Sequence, residues 1–207
     1  SRHQMIRSLA LATSAVATLG VLSTLTTTDS PIAQVAHAQD AAGAFTVDAV
    51  HSSVYFELPY SNGVAVSAGR FNEMAGSFSL DTDDPRASSL SFTINAASID
   101  TNNESRDRHL RSPDFFNSGR FSSISFTGTS FESSGSDTLK VTGDLTMLGQ
   151  TKTITVDVTK VGEGTGRSGE AVQGMSSIFT IKRSEFGMLY GIENGALGDD
   201  ITVTVHA

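Results

Sequence analysis

The chain has 207 residues, with 14 lysines and arginines against 22 aspartates and glutamates, so its formal net charge is −8. An acidic chain of this kind is a poor partner for nucleic acid and for anionic lipid surfaces, because its charge repels phosphate groups. It contains no cysteine, which excludes a disulfide framework and a lipid-modified cysteine.

The first 38 residues have the order of a secretory signal peptide. Arg2 and Arg7 give a basic start, residues 9–25 are apolar or small, and Ala36-His37-Ala38 supplies a small-x-small cleavage pattern. The alternative is an uncleaved membrane anchor. A spanning helix needs about 20 predominantly apolar residues, whereas this stretch is diluted by threonine and serine. We therefore expect cleavage near Ala38.

Residues 39–207 are the expected mature protein, with 12 basic and 21 acidic side chains and a net charge of −9. The segment is long enough for one domain with a sizeable core. With the signal peptide removed, we expect a soluble periplasmic or secreted protein that has no integral membrane span.

From Phe45 onward, apolar and polar residues alternate with a period of two, which predicts β-strands with one apolar face. Short segments of Gly, Asn, Asp and Ser interrupt the alternation and favour antiparallel neighbours joined by hairpins. We expect about eight strands, a kink at Gly69-Arg70 and a long mobile hairpin tip from Gly162 to Gly174. The alternating runs cover residues 53–58, 64–68, 74–80, 90–96, 124–128, 139–147, 154–158, 175–181 and 201–205.

One segment departs from the strand pattern and predicts a short helix. Thr101-Asn102-Asn103-Glu104 has the spacing of a capping box, residues 106–111 continue it, and Pro113 ends it. The segment lies between two predicted strands. We expect the helix to lie across one mouth of the sheet, with Phe115 and Phe116 turned inward.

An open sheet of this size would expose two edges, and closure into a barrel removes them. Eight strands enclose an interior just wide enough for side chains or for one small ligand. All twelve phenylalanines lie between Phe45 and Phe186, while the chain has no tryptophan and three tyrosines. Such an interior suits a hydrocarbon chain better than a sugar or nucleotide, but composition leaves a fully packed core equally open.

Several motifs resemble those of the YceI-like family, and they occur in that family's order over residues 45–207. The most distinctive is the Arg-Asp-x-His-Leu-Arg-Ser-x-Asp-Phe-Phe run that follows the predicted cap. The matching segments are residues 51–56, 69–71, 98–102, 106–116, 143–152 and 183–188.

The resemblance implies an extended, lipocalin-like antiparallel barrel, which agrees with the eight-stranded, all-β fold and the short helix near a barrel mouth that the residue pattern predicts. It also implies a periplasmic location, an isoprenoid or fatty chain in a central tunnel, and no catalytic residues. It therefore favours a ligand cavity over a packed core. One position departs from the family pattern, because Tyr60 stands where a second histidine is common.

We expect the inward apolar side chains to supply most of the binding energy for such a chain. His51 and His109 are expected at the mouth as polar contacts. Arg183 continues the inward-facing alternation of the strand before it, so it is expected inside the sheet or at its rim. There it is either a head-group partner or half of a buried ion pair with an aspartate. The predicted ligand-binding residues are Val54, Phe56, Phe71, Phe78, Phe92, Ile94, Phe115, Phe116, Phe126, Leu145, Met147, Ile154, Val156, Phe179, Ile181 and Phe186.

Catalytic and metal-binding interpretations are weaker. Asp107, His109 and Ser112 contain the groups of a hydrolase relay, but they crowd one short helix and no Gly-x-Ser-x-Gly elbow is present. The structural alternative is that Asp107 forms an ion pair with Arg111, four residues later on the same helix. A metal site at His51, His109 and Asp107 would need ligands from separate elements, without any short ligand spacing.

We therefore expect a periplasmic carrier, not an enzyme, that sequesters an isoprenoid quinone, polyprenyl lipid or fatty amphiphile without a cofactor. The first alternative is a structural or adhesion module of the cell envelope with a packed core. The second is an enzyme acting on a hydrophobic substrate through His109. The sequence leaves the oligomeric state open, and a homodimer paired through a barrel mouth or side is compatible with it.

Overall fold

A computed structural model describes residues 43–207, so the predicted signal peptide lies outside the described residues. Within these residues, eleven strands form one antiparallel sheet in the order β1-β4-β5-β7-β8-β9-β10-β11-β2-β3-β6, and one α-helix, α1, spans Glu104–Leu110. The strands are β1 Phe45–Thr46, β2 Ser53–Tyr60, β3 Ala65–Phe71, β4 Met74–Ser79, β5 Ser89–Asn95, β6 Ile99–Asp100, β7 Ser123–Ser133, β8 Thr138–Met147, β9 Gln150–Thr165, β10 Ala171–Lys182 and β11 Asp200–His206.

The sheet curls round an interior because two long strands bend in the middle and stay paired with each other on both sides of the bend. We call each of these bent strands a ribbon. β3 runs into β4 through Asn72 and Glu73, and β5 runs into β6 through a 3-10 turn at Ala96–Ser98. Across the bend, the Asn72 N–H donates to the Ser98 carbonyl at 3.1 Å, and the Asn95 N–H donates to the Glu73 carbonyl at 3.1 Å. The β4–β5 pair near one end of the strand order and the β3–β6 pair at the other end therefore belong to the same two bent ribbons.

The predicted all-β antiparallel class is confirmed, while the strand count differs. Each bent ribbon is split into two strands, and the short β1 pairs with β4, so the sheet has eleven strands where about eight are predicted. The predicted kink at Gly69-Arg70 is wrong, because β3 continues to Phe71 before the chain bends. The glycine-rich segment is also mostly strand, since β9 and β10 leave only residues 166–170 as the turn.

β8 shows how the period of two builds the interior. Leu139, Val141, Leu145 and Met147 are buried on its inner face, and their alternation follows from the opposite directions of successive side chains on a strand. Threonines occupy the other face and hydrogen-bond to threonines of β9. These outer pairs are Thr138 with Thr159, Thr142 with Thr155, and Thr146 with Thr151.

The helix begins later than the sequence indicated. Its N-cap is Asn103, whose side-chain oxygen accepts the Arg106 N–H at 2.9 Å, so the predicted capping box beginning at Thr101 is wrong. The Thr101 N–H and hydroxyl instead donate to the buried Asp107 carboxylate. α1 has seven residues, and within residues 43–207 no helix has the length and apolar character needed to cross a membrane.

The expected pairing of Asp107 with Arg111 is replaced by contacts to the bent ribbon. The Arg111 guanidinium donates to the carbonyl oxygens of Ala97 and Ile99, both at 2.7 Å. Asp107 is held by Thr101, at the end of the same ribbon. The helix is thus fixed to the bend from both sides, which places it over one end of the interior.

Gly76 offers a direct test of the close packing along the bent ribbon. Its φ is +151°, and a Cβ there would overlap the Ser91 carbonyl oxygen of the neighbouring strand. We predict that Gly76→Ala lowers the free energy of unfolding by about 2 kcal/mol or more. Gly162→Ala, at a strand glycine whose Cβ would meet nothing within 4 Å, should change it by less than about 0.5 kcal/mol. Urea unfolding measures both, and equal effects would contradict the packing described.

Candidate functional site

The interior of the curled sheet contains a cavity of about 360 Å³, lined by side chains from the strands, α1 and the segment before β11. Thirteen of the sixteen predicted ligand-binding residues contribute to its lining. Their position follows from strand parity and from the placement of α1 over the end of the sheet. They are Val54, Phe56, Phe71, Phe92, Ile94, Phe115, Phe116, Phe126, Leu145, Met147, Val156, Phe179 and Ile181.

The other three predicted residues, Phe78, Ile154 and Phe186, lie outside the lining. The Phe78 ring is 2 % exposed and packs between Phe45 and Phe92, with centroid distances of 6.3 and 6.1 Å. Phe186 is 1 % exposed, and Ile154 packs against the same core. For Phe78 and Ile154, strand alternation indicates the inward face, but not whether an inward side chain reaches a cavity or packs behind it. Phe186 lies in a 3-10 turn, where no strand alternation applies.

The lining also contains residues that are absent from the predicted ligand-binding set. Parity along β2 and β11 could have added Leu58 and Val203. Met188 and Tyr190 line the cavity from an irregular segment, where no periodic signal is available to find them. Tyr60, noted only as a departure from the family pattern, lines the cavity at the end of β2.

Among residues 43–207, the cavity lining contains no aspartate or glutamate, although the chain as a whole is acidic. Its ionisable members are Arg106, His109, Arg183 and two tyrosines, and the rest are apolar or carry single hydroxyls. A buried cation would lack a carboxylate partner here, and an unpaired buried charge is costly. The chemistry therefore favours an apolar guest whose polar end is neutral or acidic.

An aromatic cluster marks the mouth of the cavity under α1. The rings of His109, Phe115 and Tyr190 contact one another with centroid distances of 5.0 to 5.1 Å. His109 Nε2 lies 2.9 Å from Asp114 Oδ2. The His109 side chain is 44 % exposed and Tyr190 is 49 % exposed, so the cavity lining meets solvent at these residues. Phe115 is buried beneath them.

Arg183 holds the segment before β11 against the cavity. It is 1 % exposed, and its guanidinium donates to the carbonyl oxygens of Gly198, Met188 and Leu197 at 2.7, 3.1 and 3.2 Å. The expected buried ion pair is therefore replaced by carbonyl contacts. A head-group contact stays a prediction, since Arg183 also lines the cavity.

His51 lies outside the cavity lining, and its contact with a head group stays a prediction. Its side chain is 82 % exposed, and its Nδ1 lies 2.6 Å from Asp48 Oδ2 in the turn before β2. His109 and Asp107 have separate partners in Asp114 and Thr101. Neither the hydrolase relay nor the metal site is assembled, and within residues 43–207 no three His, Asp or Glu side chains are grouped to hold a metal.

Burial lowers the pKa of the Arg183 guanidinium, and the nearby Asp199 carboxylate opposes that shift. For Asp199, burial acts to raise the pKa, but hydrogen bonds from the Ser184 N–H at 2.9 Å and hydroxyl at 2.8 Å, with Lys182 and Arg183 nearby, outweigh it. The pKa of Asp199 is therefore lowered. This carboxylate stabilises the base of the segment that Arg183 holds.

Because the pKa of Asp199 is lower in the folded state, its contribution to stability is present above its unfolded value of about 3.9 and lost as pH falls through the folded value. We predict that Asp199→Asn lowers the free energy of unfolding at pH 7, and that the difference from wild type shrinks below about pH 4. Urea unfolding at pH 7, 5 and 3 measures this. A difference that stays constant with pH would contradict the assignment.

The family model of the YceI-like domain matches residues 45–207 of the chain. Among curated relatives, a UPF0312 protein of Shewanella baltica is 35 % identical over 141 residues, which cover 68 % of this chain and 73 % of the relative. The matched region contains the whole curled sheet, from β1 to β11.

Two solved structures show the same fold. BcnA of Burkholderia cenocepacia superposes with a TM-score of 0.69 at 23 % identity, covering 77 % of this chain and 97 % of BcnA. A polyisoprenoid binding domain from Saccharophagus degradans, implicated in plant cell wall breakdown, superposes with a TM-score of 0.57 at 14 % identity, covering 78 % and 94 % of the two chains. At these identities the similarity establishes the architecture.

Proposed function

The chain belongs to the YceI-like family, and from that premise we propose that it is a carrier that sequesters a long-chain isoprenoid or similar amphiphile in its interior. The observation that carries the proposal is the cavity of about 360 Å³ with an apolar lining and an aromatic mouth. The cavity favours a carrier over a structural module with a packed core. The Saccharophagus domain, described as polyisoprenoid binding, supports the ligand class.

The apolar tail supplies most of the affinity in this proposal. Each buried CH₂ group contributes about 0.8 kcal/mol, so one five-carbon isoprene unit contributes a few kcal/mol before the cost of ordering the chain. Phe56, Phe92 and Phe126 lie on different strands and present their rings to the same interior. These rings contact a flexible hydrocarbon without demanding hydrogen bonds from it.

The polar end of the amphiphile lies at the mouth, where polar lining residues meet solvent. Tyr60, His109 and Tyr190 offer hydroxyl and imidazole groups there. Arg106 is fastened to Thr101 through its Nε at 2.8 Å and one terminal nitrogen at 2.7 Å. Such groups suit a quinone carbonyl, a hydroxyl or an acidic group, and specificity for the head group is loose.

The mechanism is non-covalent sequestration, without bond making or a cofactor. The amphiphile leaves water for the Phe-lined interior, and α1 with the aromatic cluster forms the entrance. The predicted signal peptide supports a periplasmic or secreted location, where such a carrier shields an isoprenoid quinone or polyprenyl lipid from the aqueous compartment.

Filling the cavity tests this function without adding charge. Val156 on β9 lines the cavity and is 7 % exposed, so Val156→Phe places a ring in the space that the tail would occupy. We predict at least about tenfold weaker binding of a nonaprenol, because roughly one isoprene unit is displaced. Native mass spectrometry of the titrated protein measures bound and free fractions.

The matched control is Val161→Phe, the same substitution on the same strand at a position that is 69 % exposed and outside the lining. It should bind nonaprenol like wild type. Thermal melts establish that both variants are folded. If folded Val156→Phe binds nonaprenol as well as Val161→Phe, the tail does not occupy this cavity.

A further inference from the structure

The cavity mouth is bordered by a surface made of two chain segments, residues 60–66 and 188–198, which we call the mouth tip. The Ser61 N–H donates to the Ala196 carbonyl at 3.0 Å, and the Asn62 N–H donates to the Gly195 carbonyl at 2.8 Å. Tyr60 forms an isolated bridge with Leu197. The β2–β3 hairpin and the segment before β11 therefore form one continuous surface.

Exposed apolar side chains are concentrated on the mouth tip. Five of the ten large hydrophobic residues exposed on the described part of the chain lie in its two short segments. A contiguous exposed apolar patch commonly marks an interaction site. These residues and their exposed fractions are Val64 84 %, Val66 66 %, Leu189 62 %, Tyr60 50 % and Tyr190 49 %.

The mouth tip is also nearly free of charge. Residues 60–66 contain no charged side chain, and residues 188–198 contain only Glu193, although residues 39–207 have a net charge of −9. An uncharged surface enters an apolar layer without the cost of desolvating ions. Tyrosine has an apolar ring and a polar hydroxyl, which suits the boundary between membrane and water.

We propose that the mouth tip docks on the surface of an electrically neutral phospholipid bilayer, with Val64 and Leu189 inserted below the head groups. Tyr60 and Tyr190 belong both to the tip and to the cavity lining, so docking joins the cavity to the bilayer interior. The cargo pathway rests on the proposed carrier function: an amphiphile then passes between membrane and cavity without crossing water.

Charge selects the kind of membrane. The acidic remainder of the protein is repelled by anionic lipid, whereas a neutral surface leaves the insertion of the apolar tip unopposed. A second copy of the chain fits less well, because pairing two tips would close both mouths. We therefore expect stronger binding to phosphatidylcholine vesicles than to vesicles containing phosphatidylglycerol, and a smaller difference at high salt.

The test is flotation of the protein with phosphatidylcholine vesicles, using protein exported by its host and identified by intact mass. We predict that wild type floats and that the Val64→Asp/Leu189→Asp variant partitions at least about tenfold less. The matched control is Val50→Asp/Ile178→Asp, since Val50 is 84 % exposed in a turn beyond the other end of β2 and Ile178 is 65 % exposed. It should float like wild type.

Circular dichroism establishes that each variant is folded. If the Ile178→Asp substitution unfolds the protein, the single variants Val64→Asp and Val50→Asp provide the same comparison. The docking proposal is overturned if the wild-type protein does not float. It is also overturned if Val64→Asp/Leu189→Asp and Val50→Asp/Ile178→Asp lose flotation equally. A concentration-dependent dimer that Val64→Asp/Leu189→Asp abolishes, without flotation of wild type, also overturns it and identifies a second copy as the occupant.

Nonaprenol binding, measured by native mass spectrometry without vesicles, separates docking from carriage. Protein that binds nonaprenol but does not float overturns docking alone. Protein that floats through the tip but does not bind nonaprenol supports docking and overturns the carrier function. Loss of flotation with unchanged nonaprenol binding in Val64→Asp/Leu189→Asp supports the proposal as stated.

Discussion

Two backbone hydrogen bonds across the bend, from Asn72 to the Ser98 carbonyl and from Asn95 to the Glu73 carbonyl, hold together the ribbons on which the curl of the sheet depends. Without them, the ribbons would separate at the bend and expose unpaired edges. The same bend supplies the carbonyl groups that Arg111 binds. Closure of the sheet and placement of the helix over its mouth are therefore consequences of one local arrangement.

The attachment of the helix to the bend explains the structural role of the Arg-Asp-x-His-Leu-Arg run. Asp107 and Arg111 fasten the helix to the ribbon, while His109 between them faces the cavity with Phe115 and Tyr190. Groups that suggest a hydrolase in sequence thus serve to position an aromatic entrance. The cavity behind that entrance has no carboxylate among the lining residues that the structure describes, which is why apolar sequestration is the chemistry that it supports best.

The sequence predicts best those parts of the fold in which apolar and polar residues alternate regularly. β8 alternates regularly, and its inward side chains could be identified from the sequence. Phe78 shows the limit of parity, because it points inward yet packs behind the cavity. Tyr190 and the carbonyl partners of Arg183 lie on an irregular segment, so only the folded chain brings them to the site. The family resemblance over residues 45–207 is confirmed, and the signal peptide stays a prediction.

In the proposed function, the interior holds an isoprenoid amphiphile in the compartment where the protein acts. Native mass spectrometry of the protein purified without detergent from its host, followed by organic extraction and lipid mass analysis, tests it most directly. We expect a bound species that solvent releases, present as a series of homologues that differ by one isoprene unit. A protein that carries no such species, and takes up neither quinones nor polyprenols when they are added, would contradict it.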